Sequence, residues 1–128
     1  MLDTNIRLNI WGRELDLEID YDQFEGENIT SIQENTYKEF IDNAEQIFVD
    51  AYSMIKEYCE KNYSSLVTDN FENIFKYVMP KQLYIKRSVT KKRIAGLLCN
   101  FKFDMDNGLA VYIEDGKATK VGPQDIIL

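Results

Sequence analysis

Five carboxylates alternate along residues 14–22: Glu14, Asp16, Glu18, Asp20 and Asp22. Leu15, Leu17, Ile19 and Tyr21 fill the positions between them. Successive side chains of a strand point to opposite faces. All five acids therefore share one face, and the apolar set meets a core. Same-face neighbours lie ~6.6 Å apart, twice the rise per residue. A row of carboxylates at that spacing roughly imitates a phosphate rail. It suits a basic protein partner and steers its approach. The plainer reading is a solvated face, or one paired across strands with Lys86, Arg87 and Arg93. The row fits acid–base catalysis poorly, since an exposed alternating strand buries no acid to act as donor.

Three other patterns bear on chemistry. Asp104-Met105-Asp106-Asn107-Gly108 has the oxygen spacing of a calcium loop. Its glycine is one position early, and Asp115 stands where a glutamate should close the loop. A turn between strands is the better reading. Ser53-Met54-Ile55-Lys56 and Ser88-Val89-Thr90-Lys91 have the serine–lysine spacing of some acyl-transfer enzymes. The Ser-Asp-Asn and Lys-Thr-Gly elements of that chemistry are missing, so both are coincidence. Lys81, Lys86, Arg87, Lys91, Lys92 and Arg93 cluster around Tyr84, a composition that could follow a phosphate backbone. An exposed hairpin guarded by lysines explains it better in an acidic chain. No nucleic-acid partner is expected.

The chain contains no histidine. That removes the usual general base near neutral pH, the Ser–His and Cys–His nucleophile pairs, and histidine-based metal sites. No catalytic residue, cofactor-binding residue or metal ligand stands out. Cys59 and Cys99 are too few for a disulfide framework and sit inside apolar patterns, as reduced core thiols do.

The net charge of -7 is uneven. Residues 1–62 hold 15 acids and 5 bases, and residues 63–128 hold 7 and 10. At 128 residues the chain reads as one domain, 1–128, burying roughly two-thirds of its unfolded surface. Its 45% hydrophobic content is that of a folded globule rather than a disordered tail. The start, MLDTNIRLNIWG, lacks the pattern of a signal peptide. No apolar run approaches the ~18 residues of a membrane span. A cytoplasmic protein with no membrane partner is expected.

Periodicity defines the strands and helices that carry these residues. Residues 5–11 and 13–21 read as a hairpin turning at Gly12. Residues 22–30 are a polar connection. Residues 31–62 carry an apolar stripe at helical spacing without glycine or proline, opened by a Ser31–Glu34 capping box. Such a helix reaches ~45 Å, which predicts a bend or an overhanging end. Residues 63–69 form a loop. A short helix is expected next, capped by Asp69 or Asn70, with Phe71, Ile74, Phe75 and Val78 inward and Pro80 at its end. Strands are predicted over 82–87, 93–103, 109–114 and 117–121. Ile94 to Cys99 reads as a central strand covered on both faces. Asp115-Gly116 suits a type I′ turn. The order ββααββββ predicts an α+β domain, a mainly antiparallel sheet with both helices on one face.

Three stretches carry a resemblance. One is Trp11-Gly12-Arg13 with Tyr21-Asp22 and Glu25-Gly26-Glu27. The second is Met79-Pro80-Lys81 with Leu83 to Arg87. The third, the most specific, is Phe103-Asp104 and Gly108-Leu109-Ala110 with the closing Gly122-Pro123-Gln124-Asp125-Ile126-Ile127-Leu128. Together they resemble a family of small bacterial cytoplasmic proteins of unknown function. The family pattern often has a histidine before the turn glycine, where this chain has Asn107. The resemblance implies no activity, cofactor or site residue. In size and charge such proteins are similar to the acidic immunity proteins that neutralise bacterial toxins. The closing block has a physical reading too. Gly122-Pro123 turns the chain, Ile126 to Leu128 return as a short edge segment, and Gln124 and Asp125 clamp the turn.

The leading expectation is a non-enzymatic module that binds a basic, toxin-like protein through Glu14, Asp16, Glu18, Asp20 and Asp22. A second is a hydrolase or transferase using Asp104, Asp106, Tyr84 or Tyr112 in a cleft between sheet and helix. A third is a structural or regulatory subunit that associates through Trp11, Phe24 or Tyr63.

Overall fold

The computed structural model describes residues 4–67, 71–88 and 90–128. Six strands form one sheet in sequence order: β1 (Asn5–Ile10), β2 (Arg13–Tyr21), β3 (Val78–Ile85), β4 (Ile94–Phe101), β5 (Leu109–Glu114) and β6 (Lys117–Gly122). The helix α1 (Ser31–Asn62) connects β2 to β3. Those two strands are parallel and all other neighbours antiparallel. A parallel connection needs a crossover, and α1 supplies it. The domain is α+β with a mostly antiparallel sheet.

The β1–β2 hairpin turns on Trp11 and Gly12, both at positive φ (51° and 89°). Two central residues at positive φ make a type I′ turn, which matches strand twist and fixes the register. Ile10 therefore faces Arg13, and Arg7 faces Asp16. Asp115 and Gly116 repeat the device between β5 and β6, at 50° and 81°.

The start of α1 differs from expectation by one residue. Thr30, not Ser31, is the cap: its hydroxyl accepts from the Gln33 N–H at 3.1 Å, and the Gln33 side chain accepts from the Thr30 N–H at 2.9 Å. Gln33 wins over Glu34 because its amide has a second half. Buried, it donates to the carbonyls of Asp22 (2.6 Å) and Ile85 (3.2 Å). A carboxylate could not donate there.

The sheet curls around the helix, so both edge strands come to its flanks. On one side Trp11 donates its ring N–H to the Phe48 carbonyl at 2.8 Å. On the other, Glu39 meets Arg93 at 3.0 Å, and Met54 and Tyr58 border Val121 of β6. Phe40, Ile47, Ala51, Ile55 and Cys59 of α1 fill the core against Leu17, Leu83, Leu97 and Val111 of the sheet. The far end of the helix meets an aromatic cluster. Tyr63 lies 5.4 Å from both Phe101 and Phe103, and Tyr77 lies 5.0 Å from Phe103.

The expected second helix is only a 3₁₀ turn, Ile74–Lys76, capped by the Asn73 side chain. The order is thus ββαββββ. Phe71, Ile74 and Val78 are buried as expected, but Val78 already begins β3. Pro80 sits inside that strand rather than ending a helix. Proline cannot donate to a ladder. It is tolerated here because the register shifts between Pro80 and Gln82, and β2 joins β3 only from Gln82 onward. The expected cap at Asp69 or Asn70 lies outside the described residues.

β4 is covered on both faces. The helix covers one. The closing segment covers the other, as a 3₁₀ turn (Gln124–Ile126) followed by Ile127, rather than as an edge segment. Ile127 packs with Ile94, Leu98 and Ala110, flanked by Tyr84 and Tyr112. Gly96 makes the room: a Cβ there would lie 2.7 Å from Ile127 Cδ1. Gln124 clamps the segment, its backbone N–H to the Asn107 carbonyl (3.1 Å) and its side chain to the Cys99 carbonyl (3.2 Å). Asp125 is exposed and takes no part in the clamp.

Candidate protein-binding face

β2 is unbroken from Arg13 to Tyr21, and its alternation is realised in space. Leu17 and Ile19 are buried under the helix. Glu14, Asp16, Glu18 and Asp20 are exposed on the opposite face of the sheet. Asp22 falls one residue past the strand and is half-buried. It is occupied internally: its carboxylate accepts from the Arg87 N–H at 3.2 Å. The Tyr84 hydroxyl faces it as well. Burial first, then the Asp22 charge, push Tyr84 up to about 12. Asp22 therefore anchors the chain at the end of the row, while the four acids before it form its exposed part.

The cation that answers this row is not among those expected. Arg7 reaches Asp16 at 3.2 Å and Glu14 at 3.9 Å, from the neighbouring β1. The signal was present in the sequence: a two-residue type I′ turn at Trp11-Gly12 sets Arg7 against Asp16. Asp20 accepts from the Gln82 side chain at 3.1 Å. Glu18 makes no ion pair or side-chain hydrogen bond among the described residues. An exposed pair of this kind contributes ~0–1 kcal/mol, so Arg7 only partly neutralises the face.

Four of the six cations of the basic stretch are spent elsewhere. Arg87 meets Glu27 at 2.8 Å and the Asn28 carbonyl at 3.0 Å, pinning the connection before α1. Arg93 lies between Glu39 (3.0 Å) and Asp115 (3.7 Å). Lys92 meets Glu114 at 3.2 Å, and Lys86 donates to the Ile127 carbonyl at 3.4 Å. These cations stitch loops and helix to the sheet and leave the β2 face alone.

The residues of the enzyme expectation are not brought together. Tyr84 and Tyr112 both face Gly96 and flank Ile127. Asp104 and Asp106 lie in the turn beyond Phe101. Phe101 stands five positions along β4 from Gly96, roughly 17 Å of strand. Asp104 accepts from the Asn107 side chain at 3.0 Å and its backbone N–H at 3.2 Å, as a turn residue does. No group of three or more Cys, Asp or Glu side chains among the described residues is arranged to hold a metal ion. Cys59 and Cys99 are buried; burial lifts Cys59 to about 11 and raises Cys99 as well. A thiol held protonated is a poor nucleophile.

The aromatics of the association expectation divide. Trp11 and Tyr63 are packed against the core. Phe24 is exposed, with the Arg87 guanidinium 5.6 Å from its ring centre. No helix among the described residues is long and apolar enough to cross a membrane.

No curated protein and no solved structure matches the chain. A family model matches residues 3–128, almost the whole of it. The chain belongs to the family described as the domain of unknown function DUF6985.

Proposed function

We propose that the protein is a non-catalytic binding module that receives a basic protein on the acidic face of β2. An immunity-type inhibitor of a basic toxin is the specific form this reading takes. The observation that carries it is the geometry of Glu14, Asp16, Glu18 and Asp20. Four carboxylates project from one exposed strand face, opposed among the described residues by a single arginine, in a molecule of net charge -7. Such a face concentrates negative potential and accelerates encounter with a positive partner.

The test has two stages. The tagged protein is first used to capture partners from its own host, which are eluted by a salt gradient and identified by mass spectrometry. Association of the captured protein is then timed against wild type and a variant with Glu14, Asp16, Glu18 and Asp20 replaced by serine. The variant should associate about tenfold or more slowly at low salt, with a flattened salt dependence. An unchanged rate and an unchanged salt slope would remove this face from the interaction.

A further inference from the structure

β1 is an edge strand with one side unpaired. The Ile19 N–H donates to the Thr4 carbonyl at 2.8 Å, and Asn5 stands opposite Glu18. Residues along a strand alternate the direction of their backbone groups. Thr4, Ile6, Leu8 and Ile10 therefore face β2, and Asn5, Arg7 and Asn9 turn their N–H and C=O groups outward. No further strand among the described residues lies beside them.

Proteins ordinarily blunt such an edge with lysine, proline, a bulge or a covering element. β6 shows three of these. It carries Lys117 and Lys120, its pairing with β5 shifts register at Tyr112 and Ile113, and the helix borders Val121. β1 has no lysine, no proline and no bulge. Its arginine is folded back onto Glu14 and Asp16.

A groove runs between β1 and α1 on the helix side of this edge. One cavity of 340 Å³ lies between Ile6 and the Tyr37 and Ile41 side chains. A second of 440 Å³ lies between Leu8, Ala44 and Val49, and Val49 is 57% exposed. Ile6 and Leu8 are only half-buried. A strand added to β1 would send alternate side chains into this groove and the others onto the acidic face.

Charge selects the occupant. A second copy pairing β1 to β1 about its centre would set Arg7 opposite Arg7 and join two chains of net charge -7. Like charges directly opposite are unfavourable. A foreign strand meets different rows. Asn5 shares its row with Glu18, and Asn9 shares its row with Glu14. Asparagine is short and uncharged. A lysine or arginine placed beside either can reach over it toward the carboxylate, two strand spacings or ~10 Å away. The place beside Arg7 is better neutral.

We infer that the protein binds by strand addition, and that β1 receives an extended segment of a basic partner whose residues alternate between Lys/Arg–neutral–Lys/Arg outward and apolar side chains in the groove. This rests on the basic-protein reading and adds to it the mode of docking and the sequence pattern recognised.

The probe is a capped peptide built around Lys-Val-Thr-Val-Lys, added to the isotope-labelled full chain at low salt. Backbone amide exchange is followed by nuclear magnetic resonance. At saturating peptide, exchange at Asn5, Arg7 and Asn9 should slow about tenfold or more. A second peptide, methylated on the lysine and threonine amide nitrogens, keeps charge and side chains but cannot join the ladder. It should bind far more weakly and leave those amides unchanged. Equal binding by both peptides without protection of the three amides overturns strand addition and leaves the acidic-face reading standing. Protection and affinity that persist undiminished in the Glu14, Asp16, Glu18, Asp20 to serine variant overturn the acidic-face reading and leave the edge as the site. Absence of any spectral change at millimolar peptide overturns the inference, and the acidic face is then judged by its association kinetics alone.

Discussion

Gly96 and Ile127 act as one unit, though 31 positions apart in the chain. The glycine has no Cβ, and Ile127 Cδ1 and Cγ2 fill its place, 2.7 and 3.0 Å from where a Cβ would stand. Isoleucine is stiff at χ1, so it cannot swing aside freely. Gly96→Ala should cost about 1–3 kcal/mol, the usual penalty of overpacking. Ile127→Ala should cost about 2–5 kcal/mol, for lost burial plus a cavity. The two should not add. In the Ile127→Ala background the alanine at 96 has room, and its penalty should nearly disappear. Urea unfolding of the two single variants and the double variant measures this coupling. Additive costs would mean that the closing segment does not rest on β4 in solution. In the sequence Gly96 is only an interruption in the apolar run from Ile94 to Cys99. A glycine shows what it lacks, and which distant side chain fills the space is decided by the tertiary fold.

The helix N-terminus is tied to two strand ends by one side chain. Gln33 closes the capping box with Thr30 and donates to the carbonyls of Asp22 and Ile85, where β2 ends and β3 ends. Gln33→Ala strands buried carbonyls and opens the box, so a loss of about 1–3 kcal/mol is expected in chemical denaturation. Gln33→Glu keeps the shape and the box but cannot donate to either carbonyl, and should be at least as damaging. A variant Gln33→Glu of wild-type stability would refute this account. Elements with a clear signal were legible in the sequence: β2 and α1 have the predicted bounds because alternation or a helical stripe continued without a break, and β5 because Gly108 and Asp115-Gly116 bracket its apolar run. The capping box is Thr30–Gln33 rather than Ser31–Glu34 because Gln33 also reaches the carbonyls of Asp22 and Ile85, tertiary partners that local spacing does not show. Residues 71–80 form a turn running into a strand, which carries the same apolar spacing of three and four as the expected helix. Proline there marked a bulge that needs the neighbouring strands to be seen. On the candidate face, the acids were legible from alternation alone. The Arg7 pairing was recoverable from turn geometry, whereas the internal use of Asp22 was not, since it depends on Tyr84 and Arg87 arriving from β3.

Over the whole molecule, charge is sorted. Lys86, Arg87, Lys92 and Arg93 hold loops and helix to the sheet, and the acids of β2 face outward with Arg7 the one cation ion-paired to them among the described residues. An arrangement kept for stability would not look like this, and Glu18 isolates the point. It has Asp16 and Asp20 as same-face neighbours at ~6.6 Å and no ion pair or side-chain hydrogen bond among the described residues. Coulomb repulsion at that distance in water is roughly 0.6 kcal/mol for each neighbour before screening. Glu18→Gln removes the charge and keeps the shape. The variant should therefore be more stable than wild type by roughly 0.5–1 kcal/mol at ~10 mM salt, where the screening length is ~30 Å. At ~1 M salt the length falls to ~3 Å and the gain should vanish. Denaturant midpoints of both proteins at the two salt concentrations, in urea so that the denaturant adds no ions, decide the matter. A stability gain at low salt together with slower partner association would mean that the charge opposes folding while serving binding. No gain at either salt would mean that Arg7 already balances the face, and the row would then be solvated surface rather than a retained electrostatic cost.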